Sequence, residues 1–210
     1  MPKKIFLRAY HNSTDSQTEA KPDQTVIRII AGEYRGRKLK VPQGKYIRPS
    51  SDQLREGLFN ILSALADFES MIFLDLYAGT GALGLEALSR GAKKVIFIEA
   101  SRKNMSVLKQ NIESISPEQN CFELTQDSSV HWLSGFADPG YPCVVFLDPP
   151  FSGNEYEMIL KKLTVLPSIR AGSLIVVESN QAREILFPED LLLLKHRRYG
   201  TVTLDILRKQ

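Results

Sequence analysis

The sequence predicts an α/β fold: a seven-stranded, mostly parallel sheet with an antiparallel C-terminal hairpin, plus a small N-terminal β-hairpin extension. Three observations predict it. From residue 71 onward, short apolar runs alternate with helix-like stretches, the pattern of strands buried between two helix layers. A glycine-rich turn containing Gly79, Gly81 and Gly84 follows the first apolar run and opens a helix. The last two apolar runs flank Tyr199-Gly200 with no room for a crossover helix, so they pair as a hairpin.

Taken in order, residues 1–24 are polar, rich in Ser, Thr, Gln, Asp and Lys, and without apolar period. They are expected to form a disordered tail. Residues 25–49 form a basic extension, with strands at 26–31 and 37–41 separated by Gly32 and Gly36, then a loop holding Pro42, Gly44 and Pro49. The main domain, 50–210, opens with a helix near Ser50 or Ser51. Ser50 and Gln53 have capping-box spacing, and Leu54, Leu58, Ile61, Leu62 and Leu65 share one face. Strands are expected at 71–76, 94–99, 121–126, 143–148, 173–178, 191–198 and 201–208. Helices are expected at 82–90, 101–114, 128–135, 154–166 and 181–186. The run Leu191–Leu194 and the single Trp132 read as core.

The 210 residues are 43% hydrophobic and 24% charged, which suits one domain with a small appendage. No apolar run approaches membrane-spanning length and no signal-peptide pattern opens the chain, so a cytoplasmic protein is expected. Cys121 and Cys143 lie in apolar, strand-like contexts and read as buried free thiols. No Cys/His cluster has metal-ligand spacing, and no metal is expected. His11, His131 and His196 show no partner pattern. The net charge is only +3, but residues 26–55 hold eight basic residues against Glu33 and Asp52, a local +6. Such an asymmetry suggests a polyanionic partner, although charge alone leaves a merely solvated hairpin equally open.

The glycines of Tyr77-Ala78-Gly79-Thr80-Gly81-Ala82-Leu83-Gly84 match G-x-G-x-x-G and allow a nucleotide ligand to approach backbone. They are also compatible with tight helix–sheet packing alone. Glu99 ends the second strand, 24 positions after Asp75, where a carboxylate can accept both hydroxyls of a ribose. Asp75 ends the first strand, four residues before the first glycine. It would repel a pyrophosphate and suits a cationic ligand such as S-adenosylmethionine, with its ammonium and sulfonium. Asp127 ends the third strand and can accept an adenine amino hydrogen, or equally cap the helix that follows. The candidate cofactor residues are therefore Asp75, Tyr77, Ala78, Gly79, Thr80, Gly81, Glu99, Ala100, Asp127 and Ser128.

Asp148-Pro149-Pro150-Phe151 follows the apolar run Val144–Leu147. The carboxylate can accept one N–H of a planar amino group, and the Pro149 carbonyl, in a segment of fixed φ, can accept the other. The aromatic ring offers a face for a flat heterocycle.

Together these signals resemble the Rossmann-like class I methyltransferases. The resemblance continues upstream, in Arg28-Ile29-Ile30-Ala31-Gly32-Glu33-Tyr34-Arg35-Gly36-Arg37-Lys38-Leu39 and in Arg48-Pro49-Ser50-Ser51-Asp52-Gln53-Leu54-Arg55-Glu56-Gly57-Leu58-Phe59-Asn60. These segments resemble the N-terminal signature of the RsmD-type 16S ribosomal RNA guanine-N2 methyltransferases of bacteria, and the match spans residues 26–208. Ala31 and Ser50 stand where that pattern has Gly and Thr, and the polar tail is longer.

The resemblance implies methyl transfer from S-adenosylmethionine to the exocyclic N2 of a guanine in 16S rRNA or the assembled small ribosomal subunit. The small size of the domain suits a monomer, although no motif reads out oligomeric state. Asp148, Pro149, Pro150 and Phe151 would form the catalytic grip. Arg35, Arg37, Lys38 and Lys40 would hold phosphates, with Arg48 at the pocket rim. Tyr34 is expected to pack on the hairpin, and Arg197 and Arg198 to be solvated edge-strand charges. Two alternatives stay open: an N-methyltransferase acting on another nucleic-acid or protein amino group, and a non-catalytic RNA-binding protein. C5 cytosine chemistry would need a nucleophilic Cys, and Pro142-Cys143 opens a strand instead of following one.

Overall fold

The computed structural model describes residues 27–42, 52–149, 155–180 and 185–210. The tail, Arg48, the Ser50 capping box, Pro150 and Phe151 lie outside them, as does most of the helix expected at 181–186. Its last two positions, Ile185 and Leu186, are irregular and run into Pro188, which cannot continue a helix.

The elements are β1 (Ile27–Arg28), β2 (Lys38–Leu39), α1 (Asp52–Leu65), β3 (Ile72–Asp75), α2 (Ala82–Ser89), β4 (Lys94–Ile98) and α3 (Arg102–Ile115). They continue with β5 (Phe122–Thr125), α4 (Ser129–Ser134), β6 (Cys143–Leu147), α5 (Glu155–Val165), β7 (Leu174–Asn180), β8 (Leu191–Tyr199) and β9 (Val202–Lys209). The main sheet has seven strands in the order β5-β4-β3-β6-β7-β9-β8. The first five are mutually parallel, and β9 runs antiparallel to both neighbours.

Every residue of β3 and β6 is buried. Parallel strands sandwiched between helices have no wet face, so they are apolar throughout instead of alternating. Side chains still alternate between two cores. Phe73, Phe97, Phe146 and Val176 pack under α1, α2 and α3, while Leu74, Ile98, Leu147 and Val177 pack under α4 and α5. The chain enters the sheet at β3, builds outward through β4 and β5, then returns to β6 on the other side of β3. That reversal opens a crevice between β3 and β6 at their carboxyl ends, where open α/β sheets bind ligands.

The N-terminal hairpin is short, with only Ile27↔Leu39 and Arg28↔Lys38 paired. It is held by α2. The buried Glu86 carboxylate accepts from the Ile30 N–H at 2.7 Å and the Ala31 N–H at 3.0 Å. The Ser89 carbonyl accepts from the Glu33 N–H at 2.8 Å, and Ser89 Oγ from the Tyr34 N–H at 2.9 Å. Gly32 is required at this junction: its φ is +84°, and a Cβ would lie 1.7 Å from the Ser89 carbonyl oxygen. Tyr34 packs against the core cluster that includes the hairpin residues Ile27, Ile29 and Leu39.

The Leu191–Leu194 run departs from its expectation. Leu191 is buried, but Leu192 and Leu193 are exposed on β8, because that strand forms the sheet edge and a register shift follows Leu193. Trp132 is half-buried and stacks on Phe136 at 4.9 Å. No helix among the described residues is long and apolar enough to cross a membrane.

Candidate active site

Asp75, the last residue of β3, is buried and accepts a hydrogen bond from the Gly84 N–H at 3.1 Å. No cation pairs with it among the described residues. Burial, reinforced by the Glu99 charge, pushes its carboxyl up to about 7 against the lowering pull of Gly84. A buried carboxyl in that condition suits a cationic ligand, whose charge would stabilise its ionised form.

The three loop glycines serve different purposes. A Cβ on Gly84 would meet Phe97 Cε1 at 2.2 Å, so this glycine lets α2 lie close on β4. Gly81 has φ +82° and a Cβ there would meet Leu108 Cδ1 at 2.4 Å. Gly79 has φ +55°, yet nothing approaches nearer than 3.8 Å. Packing therefore explains Gly81 and Gly84, whereas Gly79 faces open space and is explained by its positive φ.

Glu99 fastens this loop from the next strand. Its Oε2 accepts from the Gly79 N–H at 2.9 Å and its Oε1 from the Ser101 N–H at 2.7 Å. Each oxygen keeps a second lone pair, so ribose hydroxyls remain acceptable partners. Tyr77 interacts with Ser129 and Glu155, and burial holds its hydroxyl above the usual range, hence protonated. Ser129 Oγ in turn donates to the Leu76 carbonyl.

Asp127 does not cap α4. Ser128 does, its Oγ accepting from the His131 N–H at 3.3 Å. Asp127 accepts from the Ser128 N–H at 2.7 Å and pairs with the His131 ring, which holds its carboxyl below the usual range. His196 likewise pairs with Asp205 across β8 and β9. Both histidines thus have carboxylate partners that the sequence did not reveal.

Asp148 follows β6. In register, Asp75 is level with Phe146 on the adjacent strand, so Asp148 stands two residues beyond it in the β3–β6 crevice. Leu147 pairs with Val177, which brings Asp148 level with Glu178 of β7. Burial, then the Glu178 charge, then that of Asp75, hold the Asp148 carboxyl well above the usual carboxylate range. Pro149, the next residue, is buried. Tyr156 Oη of α5 donates to the Glu178 carbonyl at 2.8 Å and braces the strand end. Cys143 lies at the opposite end of β6, and burial pushes its thiol up to about 11, so it supplies no nucleophile. Among the described residues, no group of three His, Cys, Asp or Glu side chains could hold a metal ion.

Three contributors were missed from sequence. Glu178 ends the apolar run Leu174–Val177, the same acid-after-strand signal that marks Asp75, Glu99 and Asp148, and could have been found. Asn111 and Glu86 carry no such signal. Asn111 Nδ2 donates to the Thr80 carbonyl at 2.8 Å and the Lys40 carbonyl at 3.1 Å, while its Oδ1 accepts from the Lys40 N–H at 2.7 Å. It therefore ties the hairpin exit to the glycine loop. Of the hairpin cations, Arg35, Arg37, Lys38 and Lys40 are exposed. Lys40 Nζ donates to Gln110 Oε1 at 2.8 Å.

A family model described as "Conserved hypothetical protein 95" matches residues 27–208. The chain belongs to this family, the RsmD family. It is 37% identical over 177 residues to the protein named Ribosomal RNA small subunit methyltransferase D in Haemophilus influenzae, covering 84% of this chain and 91% of that one. Against the Escherichia coli protein of the same name, identity is 39% over 155 residues, 73% of this chain and 74% of that one. Among solved structures, yhhF from Escherichia coli matches with a TM-score of 0.75 and 33% identity, covering 88% of this chain and 98% of that one. The Thermus protein TTHA0928 matches with a TM-score of 0.71 and 28% identity, over 86% and 98%. SMU.776, solved with SAH bound, shares the fold at 12% identity, with a TM-score of 0.59 over 75% and 48%. The fold is that of class I methyltransferases with a small N-terminal hairpin.

Proposed function

We propose that this protein transfers a methyl group from S-adenosylmethionine to the exocyclic N2 of a guanine in 16S rRNA. The observation that carries the reading is the placement of Asp148 beside the glycine loop and Asp75, at the carboxyl ends of adjacent strands. Membership of a family whose relatives are named small-subunit rRNA methyltransferases supports it.

Asp75, Gly79 and Glu99 would hold the cofactor, with Tyr77, Ala78, Thr80, Gly81, Ala100, Asp127 and Ser128 around it. The cofactor, when bound, supplies an electrophilic methyl group. An aromatic amine is a weak nucleophile because its lone pair is delocalised into the ring. Asp148 and the Pro149 carbonyl, accepting its two hydrogens, fix the plane of the nitrogen and favour attack. A carboxyl held above the ordinary range is, once ionised, a better proton acceptor than a normal aspartate, which suits ionised Asp148 to take the proton that the methylated nitrogen sheds. Phe151 stacks on the guanine, which must be unpaired or flipped to enter. Arg35, Arg37, Lys38, Lys40 and Arg48 contribute salt-dependent contacts to phosphates.

The test is methyl transfer to small-subunit particles and to naked 16S rRNA from a strain lacking the enzyme, followed by mass mapping of the modified base. A labelled guanine N2 is expected. Labelling of another atom, or none on either substrate, would overturn the reading.

A further inference from the structure

We infer that the catalytic half of the edge strand β8, through Lys195 and Arg197, is a second contact surface for the phosphate backbone of the substrate RNA. The inference rests on the rRNA reading above and adds to it a surface that the sequence suggested was only a solvated edge.

The register of the sheet carries the argument. Asp148 comes level with Glu178, Glu178 pairs with Leu204, and Leu204 pairs with Arg197. Cross-strand partners project from the same face of a sheet, so these four residues form one row. Lys195 pairs with Ile206, one step along the same face. Leu204 and Ile206 lie in the core beneath α1, which places both cations on the α1 side of the sheet. Three strand spacings separate Arg197 from Asp148, about 14 Å, or roughly four nucleotides at 3.4 Å each. A strand of RNA with one base presented to Asp148 reaches Arg197 within a few phosphates.

Edge-strand cations commonly serve only to discourage pairing with another chain. The distribution along β8 argues against that explanation here. The half of the edge remote from the catalytic end exposes Leu192 and Leu193, and its own residues, Leu191–Leu194, carry no charge. The cations Lys195 and Arg197 sit in the half level with the carboxyl end of β7. Both are exposed and neither forms an ion pair with a described residue. Among the described residues Arg197 donates one N–H, to the His196 carbonyl at 3.0 Å, and its side chain is otherwise exposed. The hairpin turn is fastened elsewhere, to Ser89, the last residue of α2, about 12 Å of helix away from the glycine loop at the first.

The test compares wild type with Lys195→Glu/Arg197→Glu, using unmodified small-subunit particles and a 16S rRNA fragment. The expected result is a rise of about tenfold in KM for RNA, with kcat at saturation and S-adenosylmethionine affinity unchanged. The dependence of log K on log salt should flatten by about 1.4, for two phosphate contacts on single-stranded RNA. A milder variant, Lys195→Gln/Arg197→Gln, should give a smaller shift in the same direction and guards against misfolding of the first. If wild type methylates RNA but both variants keep its KM and salt slope, the β8 surface is overturned while the rRNA reading stands. If wild type transfers no methyl to either RNA, the rRNA reading fails and this surface fails with it.

Discussion

Asp148 stands level with Glu178 at the carboxyl ends of neighbouring strands, and the Glu178 charge adds to burial in holding the Asp148 carboxyl above the ordinary range. Glu178→Gln removes that charge, so the Asp148 pKa should fall. If ionised Asp148 is the form that accepts the amine hydrogen, the acid limb of the pH profile of kcat/KM moves to lower pH in the variant. A limb that stays in place would detach Glu178 from the reaction.

Asp148→Ala is expected to lower methyl transfer by at least a hundredfold, the usual scale for losing a positioned acceptor and base. Calorimetric binding of S-adenosylmethionine should persist, because the proposed cofactor residues lie at or just after the ends of β3, β4 and β5, not on β6. Near-normal turnover would remove Asp148 from the mechanism.

The raised Asp75 carboxyl links stability and binding to pH in opposite senses. Its folded value of about 7 lies above the unfolded 3.8, so ionisation opposes folding. The cost is absent below the unfolded value, grows as pH rises, and is complete above about 7. Asp75→Asn should therefore raise the melting temperature at pH 8 and leave it little changed at pH 4. A cationic cofactor favours the ionised form, so binding should release protons near neutrality. Affinity should weaken below about 7 by up to tenfold per pH unit. Calorimetry in buffers of differing ionisation enthalpy reads the released proton directly.

Two alanine substitutions separate packing from binding in the glycine loop. Gly84→Ala drives a Cβ into Phe97 and should cost about 1–3 kcal/mol in unfolding by urea. Gly79→Ala meets no atom within van der Waals overlap and should cost only about 1–2 kcal/mol, for its positive φ. It should nonetheless weaken cofactor binding more than Gly84→Ala does. The reverse order of affinities would mean that ligand does not approach the Gly79 backbone.

Glu86→Ala strips the acceptor from the Ile30 and Ala31 amides and from Arg90 Nε, which it holds at 2.7 Å. Leaving these donors unpaired should cost about 2–4 kcal/mol. Limited proteolysis should then cut first within residues 29–37. An uncut hairpin would show that Ser89, Asn111 and Arg55 suffice to hold it.

Much of this protein was legible in its residues. The apolar runs ending in Asp75, Glu99 and Asp148 announced buried strands with acids at their tips, and the boundaries of the seven main-sheet strands fell within two residues of expectation, whereas the first hairpin strand, expected at 26–31, is only Ile27–Arg28. Those signals are local: a buried parallel strand must be apolar, and an acid after it must sit at its end. The N-terminal cations were legible as charge, though not as geometry.

Tertiary structure alone decided what those residues face. Strand order put β3 beside β6, 68 positions apart at Asp75 and Cys143, and so brought Asp148 to the glycine loop. It set Glu178 against Asp148, buried Glu86 and Asn111 under the hairpin, and left Leu192 and Leu193 on an edge. Sequence periodicity reports which side of an element is buried. Which element covers it depends on long-range pairing, and no local pattern encodes that.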